Sequence, residues 1–307
     1  MALTPDAFAW VADLVRKRSA IQLPVGKEYL VESRLLSLAK EHQLAEVQDF
    51  IAKARAGSDE RLLRAIVEAL TTNETSWFRD NIPFASLRQK IVPDLLAARS
   101  RPVHLRFWSA ACSTGQEPYS LAMALTEALP PQVTFEILAT DLSQQVLDRA
   151  ASGRYSQLEV NRGLPAPLMV RYFTRSGAEW EINQTLRSRV TFRQHNLMDP
   201  PPVVGRMDVI LLRNVLIYFD LPTKQAILRR MAGVLADDGT LLLGAAETTI
   251  GLDTSWERVQ IGSGSGYRKK LATPAKALST PTTSTAGRVP TQPGRLKLSP
   301  APPRGGS

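Results

Sequence analysis

Apolar positions in the first seventy residues recur every three to four places, the spacing of amphipathic helices. "TPDAFAWVADLVRKRS" opens with Thr4 as a cap and Pro5 at the first helical position. It then sets Phe8, Val11, Ala12 and Val15 on one face and closes on basic residues. "KEYLVESRLLSLAKEHQL" aligns Val31, Leu35, Leu38 and Ala39, while "LAEVQDFIAKARAGS" aligns Val47, Phe50, Ile51 and Ala54 and stops at Gly57. "DERLLRAIVEALTTNE" repeats the stripe with Leu63, Ile66, Val67 and Leu70. Four such helices predict a small bundle, within an all-helical domain expected over residues 1–90.

After Pro102 the period changes. "VHLRFWSA", "TFEILATDL", "RVTFRQHN", "MDVILLRNV" and "GTLLLGAA" read as strands, with helices "EPYSLAMALTEAL", "SQQVLDRAASG" and "LPTKQAILRRMAGVL" among them. This alternation predicts an α/β domain over residues 91–270, built on a doubly wound, mostly parallel sheet. "WERVQIGSGSGYRKK" reads as a hairpin that gives the sheet an antiparallel edge and brings it to seven strands. Between Tyr155 and Arg189 the alternation breaks. There "AEWEINQTLRSRVTF" reads as short antiparallel strands of an inserted β subdomain, at about residues 156–190.

Composition narrows the function classes. A net charge of +9 suggests nucleic acid at first sight. Residues 271–307, however, hold Lys276, Arg288, Arg295, Lys297 and Arg304 with no acid, and the remaining excess is spread over a much larger body. That segment has seven prolines, many Ser and Thr and no aromatic residue, so it is expected to be a disordered basic tail. No apolar run approaches the ~20 residues that cross a bilayer, and "MALTPDAFAW" lacks a signal-like leader. A single cysteine, Cys112, fits a reducing compartment and reads as a small loop residue. His42, His104 and His195 are scattered, so no metal cluster is expected. These features predict a cytoplasmic protein that is not membrane-embedded and has no nucleic-acid partner.

Candidate chemistry lies in "SAACSTGQEPYSLAMAL", the turn that follows the first strand of the α/β region. In open α/β sheets, ligands sit beyond the carboxyl ends of the strands where the strand order reverses. Small residues there let a ligand approach the backbone, and Gly115 permits a positive φ. A phosphate-bearing cofactor prefers bare N–H groups at the helix start, but Glu117 stands there and would repel pyrophosphate while pairing with an ammonium group. Asp141 ends the second strand, where a carboxylate accepts hydrogen bonds from ribose hydroxyls. An adenosine cofactor with an amine and no phosphate satisfies both residues, and S-adenosylmethionine fits that description better than NAD.

Five stretches then stand in compatible order: "LTTNETSWFRD" (70–80), "WSAACSTGQEPYSLAMAL" (108–125), "ATDLSQQVLDRAASGRY" (139–155), "DVILLRNVLIYFD" (208–220) and "DGTLLLGAAET" (238–248). Together they resemble the chemotaxis receptor methyltransferases of the CheR type, from about residue 5 to residue 270. The resemblance implies a helical domain followed by a class I S-adenosylmethionine-dependent methyltransferase sheet. The implied enzyme is a protein-glutamate O-methyltransferase. It moves a methyl group from S-adenosylmethionine to glutamates in the cytoplasmic helical region of chemoreceptors, leaving S-adenosylhomocysteine and glutamate methyl esters. By motif position, Asn73, Thr75 and Arg79 would line the cofactor site, Glu117 would meet the methionine part and Asp141 the ribose. Asn196 and Leu197 would border the adenine, Arg213 and Asn214 would close the site, and Tyr218 would stand near the transferred methyl. Arg79 and Tyr218 are the candidates for a direct catalytic part. The family also implies a monomer recruited to membrane-bound receptors, with Lys27 and Arg34 as candidate contacts to acidic receptor helices.

Two departures from the family pattern stand out. Gln116 replaces a second acid, and Trp77 replaces a customary Phe. No Gly-x-x-Gly occurs between Phe173 and Val190, where relatives that dock on a receptor pentapeptide carry a glycine-containing insertion, so a pentapeptide-independent enzyme is expected. Taken singly, Asn73 and Thr75 also suit a helix end, and Tyr218 also suits a buried structural position. Whether Arg79 or Arg213 orients the substrate carboxylate or the cofactor's own stays open at this level. A nucleic-acid methyltransferase would show an Asn/Asp-Pro-Pro-Tyr-like motif for a flipped base where this chain reads "LLRNVLIYF". A non-catalytic protein that binds the cofactor as a signal stays open on motifs alone.

Overall fold

The computed structural model describes residues 3–57, 59–99, 103–203 and 205–270; the expected basic tail at 271–307 lies outside them. Helices α1 (Pro5–Ser19), α2 (Glu28–Glu41), α3 (Val47–Ala56) and α4 (Glu60–Ala69) form the bundle. Thr4 Oγ1 caps α1 by accepting the Ala7 N–H, and Asp59 caps α4. Their shared core contains Phe8, Val11, Val15, Val31, Leu35, Phe50, Ile51 and Ile66. On α4 the buried row is Leu62, Ile66 and Leu70, four apart, which leaves Leu63 at its margin. Arg34 is a brace rather than a free surface charge. Its Nη1 donates to the carbonyls of Leu70 (2.9 Å) and Thr71 (2.6 Å) at the end of α4, and its Nη2 donates to Thr72 Oγ1.

The next helical run carries no expected element. It comprises α5 (Ile82–Ser86), a π turn at Leu87–Ile91 and α6 (Val92–Ala98). Pro83 and Pro93 hid it. Pro83 sits in the first turn, where no amide is required, and the widened π turn precedes Pro93, which has no amide to give. Phe84, Leu87, Ile91 and Leu95 pack with the sheet residues Leu105 and Phe107, whereas the bundle's own buried core ends at Leu70.

The α/β part follows as β1 (His104–Ala110), α7 (Gln116–Ala128), β2 (Thr134–Asp141), α8 (Gln144–Ser152) and β3 (Arg154–Ser156). Next come α9 (Gln157–Asn161), α10 (Ala166–Tyr172), β4 (Phe173–Ser176), β5 (Glu179–Ile182) and α11 (Gln184–Arg187). It ends with β6 (Val190–Gln194), β7 (Met207–Leu212), α12 (Leu221–Val234), β8 (Leu235–Leu243), β9 (Trp256–Ile261) and β10 (Gly264–Lys269). The seven-stranded sheet runs β6-β2-β1-β7-β8-β10-β9. Its first five strands in that order are parallel, and β10 is antiparallel to both β8 and β9. Along β1 the side chains alternate: Leu105 and Phe107 join the core on one face, Trp108 and Ala110 the core on the other.

A second, antiparallel sheet, β3-β5-β4, is the inserted subdomain. Its extent differs from the expectation. Within "AEWEINQTLRSRVTF" only Glu179–Ile182 belongs to it. Asn183 caps the short helix α11 by accepting the Leu186 N–H, and Val190 already starts the main-sheet strand β6.

Candidate active site

From β1 the chain builds outward to β2 and β6, then returns on the other side to β7, so a crevice opens at the carboxyl ends of β1 and β7. The turn after β1 is tightly folded, with positive φ at Ala111 (67°), Ser113 (51°) and Gly115 (93°). A side chain at Gly115 would meet Ala150 Cβ at 2.8 Å and Tyr155 Oη at 2.9 Å. Two bonds pin the turn: Cys112 N–H to the Thr140 carbonyl (2.9 Å) and Tyr155 Oη–H to the Thr114 carbonyl (2.7 Å). Ser113 and Ser143 then direct their N–H groups at the Asp141 carboxylate, to Oδ2 (2.8 Å) and Oδ1 (3.1 Å). Asp141 is only 7% exposed, and burial raises its pKa against the pull of these amides.

Glu117 stands in the first turn of α7. Its Oε1 accepts from Ser109 Oγ (2.8 Å), and its Oε2 pairs with Arg213 Nη1 (2.8 Å). The other end of that guanidinium, Nη2, reaches Asp80 Oδ2 (2.8 Å) and the Arg79 carbonyl (2.7 Å). Two carboxylates therefore surround one buried arginine and leave a local charge of −1, suited to a cationic ligand. Asn214, next in the chain, holds φ +57°.

A strap of residues 71–80 connects the bundle to the sheet and roofs the crevice. Ser113 Oγ–H binds the Asn73 carbonyl (2.7 Å), and the Phe78 N–H binds Ser120 Oγ (3.0 Å). Trp77 is buried in the inserted subdomain, edge-on to Tyr155 and Phe173, with its Nε1–H on the Glu159 carbonyl (3.0 Å). From α4, Glu68 accepts Ser143 Oγ–H and the Gln144 N–H (both 3.0 Å), supplying the α8 N-terminus with the cap its own residues lack.

All ten residues expected at the cofactor site or in catalysis line one cleft: Asn73, Thr75, Arg79, Glu117, Asp141, Asn196, Leu197, Arg213, Asn214 and Tyr218. Their situations differ. Arg79 gives one N–H to the Glu74 carbonyl (2.9 Å) and meets no carboxylate among the described residues. The hydroxyls of Tyr218 and Thr75 make no hydrogen bond there either. Asn196, by contrast, has both ends engaged: its amide donates to the Arg18 carbonyl (2.7 Å) and its oxygen accepts the Met198 N–H (3.0 Å). It therefore shapes the wall and has little left to offer a ligand. Four residues at or around the site were not among the candidates read from the sequence: Glu68, Asp80, Glu247 and His195. No local pattern marks Glu68, Asp80 or His195; Glu247 follows a strand that the sequence did reveal.

The donor set fits an adenosine cofactor with an amine. The carboxylates of Glu117 and Asp141 line the cleft, and Ile21, Leu142 and Leu197 supply apolar wall. His195 also lines the cleft; its Nε2 is buried with no hydrogen-bond partner among the described residues, and burial lowers its pKa. Among the described residues no His, Cys, Asp or Glu cluster is arranged to hold a metal ion.

Comparison with known proteins agrees with this geometry. Residues 73–263 match the family model of the CheR methyltransferase SAM-binding domain, and residues 6–71 match that of the CheR methyltransferase all-alpha domain. The chain is 41% identical over 265 residues to chemotaxis protein methyltransferase 1 of Pseudomonas aeruginosa, an alignment covering 83% of this chain and 95% of that protein. It is 40% identical over 263 residues to the chemotaxis protein methyltransferase of Vibrio parahaemolyticus, covering 83% and 94%. A more distant relative, the chemotaxis protein methyltransferase of Borreliella burgdorferi, is 33% identical over 256 residues, covering 81% and 90%.

Proposed function

Because this chain belongs to the CheR methyltransferase family, we infer that its cleft binds S-adenosylmethionine and that it methylates glutamate side chains of chemoreceptors, as a protein-glutamate O-methyltransferase. The bound cofactor supplies a methyl group already activated by its sulfonium. A glutamate carboxylate is already ionised near neutral pH, so the protein's work is mainly alignment and exclusion of water. In this reading Asp141 accepts from the ribose hydroxyls and Glu117 pairs with the ammonium. Leu197 and Asn196 form the wall beside the base, and Asn73, Thr75 and Asn214 close the rim.

Arg79 orients the incoming carboxylate. The observation that carries this assignment is the unequal pairing of the two arginines: Arg213 is neutralised by Glu117 and Asp80, whereas Arg79 meets no carboxylate. Tyr218, whose hydroxyl makes no hydrogen bond among the described residues, lines the same cleft and in this reading offers a donor to the acceptor oxygen. The proposal extends to a monomer that docks on the cytoplasmic helices of membrane-bound receptors without a pentapeptide tether. The turn of the inserted sheet, Gly177–Ala178 between β4 and β5, supports that last point because it is too short to hold a glycine-containing insertion.

The test is transfer of radiolabelled methyl from the cofactor to receptor-enriched membranes, using receptors with and without their C-terminal tails. Base-labile label of equal extent on both is expected. Base-stable label, or none, would overturn the glutamate assignment. Label only on tailed receptors would overturn independence from the tether.

A further inference from the structure

The loop after β7 carries Arg213, Asn214, Val215 and Tyr218 into the cleft, yet little of its own sequence explains why it keeps its shape. Asn214 sits at φ +57°, a conformation that costs a non-glycine residue free energy. The three amides that follow Arg213 make no strand ladder, since β7 ends at Leu212. All three point at one carboxylate. Glu247 Oε2 accepts the Asn214 N–H (2.7 Å), and Oε1 accepts those of Val215 (2.9 Å) and Leu216 (2.7 Å). A fourth amide, Gly244 N–H, also reaches Oε2 (2.8 Å). Glu247 is 9% exposed. A Cβ at Gly244 would lie 2.7 Å from Asn214 Nδ2 and 2.8 Å from Glu247 Oε2, so the loops after β7 and β8 interlock without spare room.

We propose that Glu247 is a positioning residue for methyl transfer: its carboxylate, by gathering these four amides, sets the loop that holds Asn214 at the rim and presents Tyr218 to the acceptor. This rests on the methyl-transfer reading above. Arg213 has separate anchors in Glu117, Asp80 and the Arg79 carbonyl, and Asp141 is fixed by Ser113 and Ser143. Glu247 therefore sets this loop, while Arg213 and Asp141 keep anchors of their own.

Glu247→Gln keeps the volume and replaces one oxygen by an NH₂ group. Each oxygen serves two amides, so either orientation of the new amide sets donors against two N–H groups. Three measurements on the full chain decide the matter: methyl-transfer kinetics, calorimetric affinity for S-adenosylhomocysteine, and amide hydrogen exchange across residues 213–218 and at Gly244. We expect kcat to fall about ten- to a hundredfold, the scale of a small misplacement of reacting groups. Affinity for the product should fall far less than kcat, because Arg213 and Asp141 keep their own anchors, and exchange should accelerate in that segment and at Gly244. Wild-type turnover, or product affinity lost in step with kcat, would overturn the proposal. If Glu247→Gln unfolds at the assay temperature, exchange measured on it at lower temperature still decides, since unaccelerated exchange at 214–216 contradicts the anchoring. A wild-type chain that methylates no receptor would overturn the function proposed above but would leave the exchange result standing.

Discussion

Replacing Asp141 by alanine tests the cofactor site most directly. Its carboxylate ends β2 and already accepts the Ser113 and Ser143 N–H groups, one per oxygen. Each oxygen keeps a second acceptor position for a ribose hydroxyl. Hydrogen bonds to a charged group contribute about 1.5–3 kcal/mol each. Losing two costs about 3–6 kcal/mol, an affinity loss of about 10²–10⁴-fold. Titration calorimetry with S-adenosylhomocysteine reads this directly. Affinity within threefold of wild type in a folded Asp141→Ala protein would refute the assignment.

The same carboxylate predicts a pH dependence. Burial raises its pKa in the folded chain, so the proton is held above the ordinary carboxylate range. Ribose hydroxyls donate to the ionised form, so affinity should fall as pH drops through that raised value. Folding moves the other way. A raised folded pKa makes the ionised form a cost to stability that is absent below the unfolded pKa and complete above the folded one. Asp141→Asn should therefore bind the cofactor poorly while losing less stability than a hydrogen-bond count suggests. Binding that does not change with pH across the acidic range would contradict this account.

Three other substitutions probe the frame. Arg213→Ala leaves Glu117 and Asp80 facing each other; it should cost about 3 kcal/mol, the low end for breaking a buried pair because Asp80 is partly exposed, and unchanged thermal unfolding would exclude a structural clamp. Gly163→Ala would drive a Cβ into the Trp77 carbonyl oxygen at φ +97°, and a loss of about 1–3 kcal/mol is expected in a denaturant melt. Trp77→Phe restores the residue customary in the family but deletes the Nε1–H bond to Glu159; a loss of about 1–2 kcal/mol with methyl transfer retained is expected, and lost activity at full stability would give the ring a different role.

Much of the fold was legible because its signals are local. Thr4, Asp59 and Gly57 mark helix ends within a few residues of where the chain obeys them. The division of the β1 side chains between the two faces of the sheet likewise follows from adjacent residues. The run from Ile82 to Ala98 escaped because Pro83 and Pro93 read as breaks, and only a π turn reconciles them with a continuous helix. Asn183 similarly reads as part of a strand until its side chain is seen to cap α11. Asp141 and Glu117 were found because they stand at the end of a strand and the start of a helix, positions that periodicity locates.

Residues whose part depends on distant amides or charges leave no such trace. Glu247 meets the 214–216 backbone, Asp80 meets Arg213, and Glu68 meets the α8 N-terminus, each across a span of chain that no local period describes. The two arginines show what this omission conceals. From sequence, Arg79 and Arg213 are equivalent cations that could each orient a carboxylate. Asp80, invisible to the pattern, separates them: it joins Glu117 in enclosing Arg213 and so removes that charge from the ligand's reach. Arg79 lines the cleft and, among the described residues, its side chain is held through the Glu74 carbonyl of the strap. In the proposed reading, the cation offered to an acceptor glutamate comes from the segment that follows the helical bundle.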